Sequence, residues 1–289
     1  MHMNTSTASK YMLRNYLHSL ILLVSMMALL SLVGWLLMGP IGIGWFLVIG
    51  IFTLLSAARV SPRIILLMHG ARPLSPEEAP YIYEIIVRLS QRAGIKNIPK
   101  LYYIPARLME IFTTGLNHNT SIALSYGIVR HLSTRELTGV LAHEISHIRS
   151  NDLMVMLMAS VIASLTSMMA LAGSVLVLIY IPMYILTGEI VPWPLLIVLI
   201  LAPTASALMQ MSLSRSRELR ADLEAVRLTE DPLSLASALE KIESYQWNWA
   251  ERILMPSRRV RIPFFLRTHP LIKDRVNRLK ELDEEMRQQ

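Results

Sequence analysis

The sequence predicts a mainly α-helical membrane protein. Four transmembrane helices carry polar segments that fold as an α+β unit with a small β-hairpin or sheet. Three observations lead there. Hydrophobic residues make up 53% of the 289 residues and mean hydropathy is +0.43, too apolar for an ordinary soluble domain. Charge is missing from long stretches: none lies between Arg14 and Arg59, from Leu153 to Gly188, or from Ile190 to Ser214. The polar remainder carries both helix-period and strand-period patterns.

The first uncharged stretch is long enough for two passes of about 20 residues each. GPIGIG, Gly39–Gly44, interrupts it and predicts a helical hairpin over 17–38 and 43–58. A cleaved signal peptide is the rival reading, because Lys10 and Arg14 precede an apolar run. The run is too long for one, lacks a clear small-residue cleavage site and leads at once into a second apolar run. The other two stretches, separated by GEIVPWP, predict spans near 153–180 and 193–213. Buried core helices are the alternative, but runs beyond about 20 apolar residues suit a bilayer better.

The chain then divides into an N-terminal transmembrane hairpin (1–58), a polar segment (59–152), a second hairpin (153–213) and a second polar segment (214–289). All 28 Lys and Arg fall in 1–16, 59–152 and 214–289, and the two short interhelical loops have none. Positive residues mark the cytoplasmic face, which places both termini and both polar segments on the cytoplasmic side of the cell membrane. The net charge of +7 is therefore a topology signal with some attraction to anionic lipid. Nucleic-acid binding has no separate support. The absence of Cys excludes disulfides and zinc–thiolate sites.

In LSPEEAPYIYEIIVRLSQRAG, Ser75 reads as an N-cap, with Pro76 at the first helical position and Glu78 completing a capping box. Ile82, Ile85, Ile86 and Leu89 recur at helical spacing, and Gly94 can end the helix. KLYYIP, Lys100–Pro105, reads as a strand. EIFTTG and SIALS flank the turn-rich LNHN and predict a hairpin over Glu110–Ser125. A second capping box, Ser133 with Glu136, opens a further helix. The charge-rich end from Asp274 to Gln289 reads as a solvated helix or fraying end with no functional role.

The helix opened by Ser133 carries HEISH, His143–His147. Residues i and i+4 share a helix face, so His143 and His147 can present two imidazole nitrogens to one ion. Glu144 sits one position round, where its carboxylate reaches water held by the ion. Two helix histidines beside a surface Glu is the bland alternative, but the capped helix and apolar Val140, Leu141 and Ile145 argue against it. Catalytic zinc usually takes three protein ligands. The third can be His2, His18, His69, His118, His131 or His269, or a carboxylate. SRSRELRADLEAV, Ser214–Val226, offers Glu218 and Asp222 on one helix face, with salt bridges among Arg215, Arg217 and Asp222 as the structural alternative. His147 lies six residues before the third span, about 9 Å along a continuous helix, and Glu218 about 6 Å past the fourth. Two antiparallel helices leaving the membrane would carry these groups to similar heights.

VLAHEISHIRSND, followed after a membrane hairpin by SRSRELRAD, resembles the HtpX membrane proteases. These are integral-membrane zinc peptidases grouped with the CAAX prenyl proteases, and the likeness covers nearly the whole chain. It implies a cytoplasmic, zincin-like α+β protease domain with one Zn²⁺ per chain. On that likeness His143, His147 and Glu218 bind the zinc, Glu144 is the catalytic glutamate, and Asp222 orients a ligand histidine. THP, Thr268–Pro270, matches a C-terminal family motif and makes His269 a candidate cleft residue, with a structural turn as the alternative. The family strand that edges the active site resembles Asn-Ala-Phe-Ala-Thr-Gly. Here it reads Glu110-Ile111-Phe112-Thr113-Thr114-Gly115, so Glu110 replaces the Asn and favours basic substrate residues. Phe112 and Thr114 belong to the same candidate cleft, on a strand able to pair with an extended substrate backbone.

The expectation is a zinc endopeptidase of the cytoplasmic membrane. The resemblance implies that it cuts misfolded or damaged membrane proteins and unfolded polypeptides. A CAAX-type processing protease is the nearest rival, but four spans are few for enclosing a lipidated peptide. A membrane metal sensor or transporter would carry ionisable residues within its spans. Between 153 and 214 the sequence has only Glu189, in a loop.

Overall fold

A computed structural model of the chain describes residues 5–59, 61–116, 119–188, 193–254 and 272–288. The elements in chain order are α1 (Thr5–Met38), α2 (Pro40–Ala58), α3 (Pro62–Met68), β1 (Arg72–Pro73), α4 (Pro80–Ala93), β2 (Lys100–Ile104), β3 (Ile111–Thr114) and β4 (Ser121–Ser125). They continue with α5 (Tyr126–His131), α6 (Thr134–Arg149), α7 (Asp152–Thr187), α8 (Trp193–Thr229), α9 (Pro232–Leu254) and α10 (Ile272–Arg287). The chain forms two compact units. One is residues 11–59 with 154–216, and the other is residues 1–10, 60–153 and 217–289.

In the first unit, α1, α7 and α8 are each long and apolar enough to cross a membrane, while α2 carries a shorter apolar run, Pro40–Ser56. The break between α1 and α2 is one residue, Gly39 at φ +65°, and α2 starts at Pro40 rather than residue 43. Gly42 lets the two helices close on each other: a Cβ there would lie 2.2 Å from the Gly34 carbonyl oxygen. Met26, Leu30 and Val33 of α1 pack with Ala159 and Ala170 of α7 and Leu199 of α8.

The second unit is built on a four-stranded sheet in the order β1-β2-β4-β3. β2 and β4 run parallel, and β3 pairs antiparallel with β4 from Ile111↔Leu124 to Thr114↔Ser121, the predicted hairpin. β4 is buried along its length and β3 is the terminal strand. α6 lies in the core. Its Leu137, Leu141 and Ile145 pack with Ile82 and Ile86 of α4, Ile122 and Leu124 of β4, Leu235 of α9 and Leu279 of α10. Full burial of each such side chain stabilises by about 1.5–3 kcal/mol, so the apolar face of α6 fixes where its histidines point.

Three expectations need correction. The Ser75 N–H does donate to the Glu78 carboxylate (3.1 Å), but this closes a turn, and α4 begins at Pro80. Pro80 lacks an N–H and drives Ala79 to φ −144°, ψ 63°, so no helix begun at Pro76 runs through it. His147 is not on a helix continuous with the third span. α6 stops at Arg149, Asn151 takes the left-handed conformation (φ 56°) that Asn tolerates, and α7 starts at Asp152. α8, by contrast, runs unbroken through Glu218. Finally, the charged C-terminus is not a solvated end: α10 buries Arg275, Val276, Leu279 and Leu282.

The capping box at Ser133 forms in full. Glu136 accepts from the Ser133 N–H (2.8 Å) and from Ser237 and Lys241 of α9, which ties the start of α6 to its neighbour. Burial alone would raise the Glu136 pKa, but Lys241, Ser237 and Ser133 together hold it down at about 2. A depressed carboxylate stabilises the fold above its unfolded value and loses that contribution as pH falls through the folded one. Glu136→Gln is expected to cost about 2 kcal/mol near neutral pH. Thermal unfolding in detergent should show the gap to wild type fully open above about pH 5 and closing towards about pH 2.

Candidate metal centre

Four helices converge on the imidazoles of α6. His143 and His147, one turn apart, bring their Nε2 atoms to 3.1 Å. Glu218 comes in from α8, with Oε2 3.5 Å from His143 Nε2 and Oε1 3.8 Å from His147 Nε2. One donor atom from each of the three residues lies within 4.8 Å of the others, a group able to hold a metal ion. α6 and α8 are pinned at this level by Ser146, whose hydroxyl donates to the Ala221 carbonyl (3.2 Å).

The other nitrogen of each ring meets a carboxylate. His143 Nδ1 lies 2.9 Å from Asp222 Oδ1, one turn after Glu218. His147 Nδ1 lies 2.8 Å from Oδ2 of Asp152, the first residue of α7. Each carboxylate is held in turn by arginine. Arg275 of α10 grips Asp222 through two bonds of 2.7 and 2.6 Å, and its Nη1 lies 2.8 Å from Glu218 Oε2. Arg217 (2.6 Å) and Arg220 hold Asp152. The bidentate Arg275–Asp222 pair supplies direction as well as charge.

Asp152 and Asp222 are both depressed despite burial, Asp152 by His147 and its two arginines and Asp222 by Arg275 and His143. Burial opposes charge on His143, but hydrogen bonds to Asp222 and Glu218 outweigh it and raise its pKa to about 9. Carboxylates placed this way hold a proton on each Nδ1 and turn each Nε2 to the common point; on His143 the Nε2 also carries a proton near neutral pH, which a metal ion would displace on binding.

Glu144 is buried beside the histidines, and Thr113 Oγ1 of β3 donates to its Oε2 at 2.6 Å. Strand side chains alternate between faces. Thr113 therefore reaches Glu144 while Phe112 packs on the other face against Leu66, Ile104 and Ala123. Thr114 is buried. The side chains of Phe112 and Thr114 thus leave the strand on the face opposite Thr113. Glu110 ends the hairpin, its N–H donating to Ser125 Oγ (2.9 Å).

Of the other histidines, His69 and His131 turn Nδ1 to the carbonyls of Ile65 and Gly127, each at 2.9 Å, and His18 lies beside Ser212. His2, His118 and His269 fall outside the described residues. Three contributors escaped the sequence reading, though each left a trace. Asp152 stands five residues after His147, Arg275 precedes the helix-spaced Val276, Leu279 and Leu282, and Thr113 alternates with Phe112.

A helical His pair, a carboxylate from a second helix and a glutamate beside them form the donor set of a metallopeptidase. Residues 76–283 match the model of peptidase family M48, and the chain belongs to that family. It is similar to a "Protease HtpX homolog" of Acaryochloris marina, 33% identical over 292 residues, covering 94% of this chain and 96% of the relative. It is similar also to a "Protease HtpX homolog" of Pyrococcus abyssi, 32% identical over 92% of this chain and 95% of the relative. The fold resembles the crystal structure of S. mikatae Ste24p, with a TM-score of 0.52 and 21% identity over 93% of this chain and 66% of that one. The chain is a membrane metalloprotease.

Asp152→Asn keeps the side-chain shape and removes the charge that faces His147. It should lower metal affinity by about 10–100-fold, read by competition against chelators of graded strength. Wild-type affinity in a normally folded variant would show that His147 needs no such anchor.

Proposed function

We propose that this chain is a zinc endopeptidase of the cell membrane that cuts misfolded or damaged membrane proteins from the cytoplasmic side. The observation that carries the reading is the meeting of His143, His147 and Glu218 donor atoms within 4.8 Å beside Glu144. Two imidazoles and one carboxylate fit zinc, and they leave room for a fourth ligand as catalytic sites do. The excess of Lys and Arg in 1–16, 59–152 and 214–289 supports a cytoplasmic site. On this reading α1, α2, α7 and α8 make four spans, as hairpins 1–58 and 153–213. Segments 59–152 and 214–289 are then the two halves of one protease domain. The relatives named above as HtpX proteases support the protease reading, and the quality-control role is what the resemblance to the HtpX proteases implies.

Zinc held by His143, His147 and Glu218 would supply Lewis acidity, polarising the scissile carbonyl and lowering the pKa of water at the site. The protein's own groups do the rest. Asp222 and Asp152 hold the imidazoles with Nε2 free to bind. A substrate segment pairs as an added strand along β3, which is terminal in its sheet. Glu110, at the head of that strand, favours a basic side chain. Thr113 fixes Glu144 Oε2, leaving Oε1 to take the proton of the attacking water and return it to the departing amine.

Glu144→Gln should retain zinc and lose proteolysis of an unfolded polypeptide such as casein, since the amide cannot take the proton. Retained cleavage at the wild-type rate would remove Glu144 from that role.

Glu218→Ala and Asp222→Ala separate ligand from anchor. Under mild chelation, elemental analysis should find Glu218→Ala largely empty and Asp222→Ala partly occupied, since loss of an orienting group costs about 10–100-fold in affinity. Thermal stabilities measured without metal control for damage to α8. The reverse order would exchange the two roles.

A further inference from the structure

We infer that α3, Pro62–Met68, is an interfacial anchor that seats on an anionic phospholipid surface. Its sequence, PRIILLM, is apolar except for Arg63. Only Pro62 and Leu66 are buried. Ile64, Leu67 and Met68, at i, i+3 and i+4, share one face and are 53%, 74% and 81% exposed. Large apolar side chains left outward on adjacent turns mark a contact surface. The helix is held from behind: Ser61 caps it, and Leu66 packs with Phe112, Ile104 and Ala123 of the sheet. Its outward face is therefore presented by a fixed support.

Chain geometry and charge select lipid as the occupant. α2, with its apolar run Pro40–Ser56, ends at Ala58, four residues before Pro62. Four trans peptide steps reach at most about 15 Å, so with α2 read as a span the covalent tether holds α3 within about 15 Å of the bilayer surface. Arg59, Arg63 and Arg72 lie within or close to the helix in sequence, and no acidic residue occurs from 59 to 76. Basic residues beside an outward apolar face are the pattern of a helix lying in the interface of an anionic bilayer. Seven residues are too few for the roughly 800 Å² per partner of a stable protein interface. Because α3 packs on Phe112 of β3, its docking brings the substrate strand to the bilayer surface. That consequence rests on the protease reading, and the docking itself does not.

The chain has no Cys, so a single labelled position is clean. Met68→Cys, labelled with the environment-sensitive fluorophore NBD, is reconstituted as the full chain in 3:1 phosphatidylethanolamine:phosphatidylglycerol vesicles. Gln91→Cys, at an exposed position of α4, is the control. Interfacial helices bury their apolar face about 5–10 Å deep, so lipids with doxyl at the 5-position should quench the label at 68 and not at 91. Emission at 68 should be blue-shifted, and replacing Arg59 and Arg63 by Gln should weaken the quenching. A label at 68 as wet as at 91 overturns the inference. A blue-shifted label that doxyl lipid does not quench also overturns it, since a protein surface then covers the helix. Neither readout depends on proteolysis, so an inactive site and an undocked helix give different results.

Discussion

The interaction on which the rest of this structure depends is the pairing of each α6 imidazole with a buried carboxylate. His143 has Asp222 and His147 has Asp152, and both acids are almost wholly excluded from solvent. A buried ion costs several kcal/mol unless partners satisfy it. One imidazole per carboxylate is not enough, because an acid offers about four lone-pair sites. Arg275 and the Arg217–Arg220 pair supply what remains. That requirement explains why the centre is assembled from so many places. α6 carries the histidines, α7 begins with one acid, α8 brings the other with two arginines, and α10 brings the third arginine.

The same requirement explains the packing around it. Arg275 reaches Asp222 only if α10 is seated, and Val276, Leu279 and Leu282 seat it in the core shared with α6 and α9. The capping network at Glu136 ties α9 to the start of α6 at the opposite end of that helix. Apolar burial thus supplies the force, and the charged pairs supply the register. Replacing the charges by apolar groups of similar volume would preserve the fold. It would lose the Nε2 orientation that makes the imidazoles useful as donors.

Much of this was legible in the sequence because it is local. HEISH declares its own geometry through i, i+4 spacing. Ser133 and Glu136 declare a helix start, and EIFTTG with SIALS declares a hairpin. What the residues alone left open or misread shares a cause: each depended on partners far along the chain or on one backbone angle. Glu218 and Asp222 stood on one face, but nothing local separated a ligand from a salt bridge until His143 was seen between them. Arg275 lay in a run whose charge density masked the helical spacing of its apolar residues. The break at Asn151 was invisible because Ser-Asn is compatible with either a continued helix or its end.

Thr113 shows what such a long-range contact adds. A strand that pairs only through its backbone treats its side chains as free choices on two faces. Here one face of β3 is committed to the acid beside the imidazole pair, through the hydroxyl on Glu144, and the other to the sheet's packing, through Phe112. Among the described residues β3 ends the sheet, and a partner on that edge would disturb neither commitment, because edge hydrogen bonds lie in the plane of the sheet and both side chains leave it. The place where a peptide would bind and the carboxylate that would act on it are therefore parts of one rigid piece. Motion of one relative to the other would first have to break a part-buried 2.6 Å hydrogen bond. That rigidity is what a general base needs, since its proton transfers fail when the reacting groups drift by about an ångström.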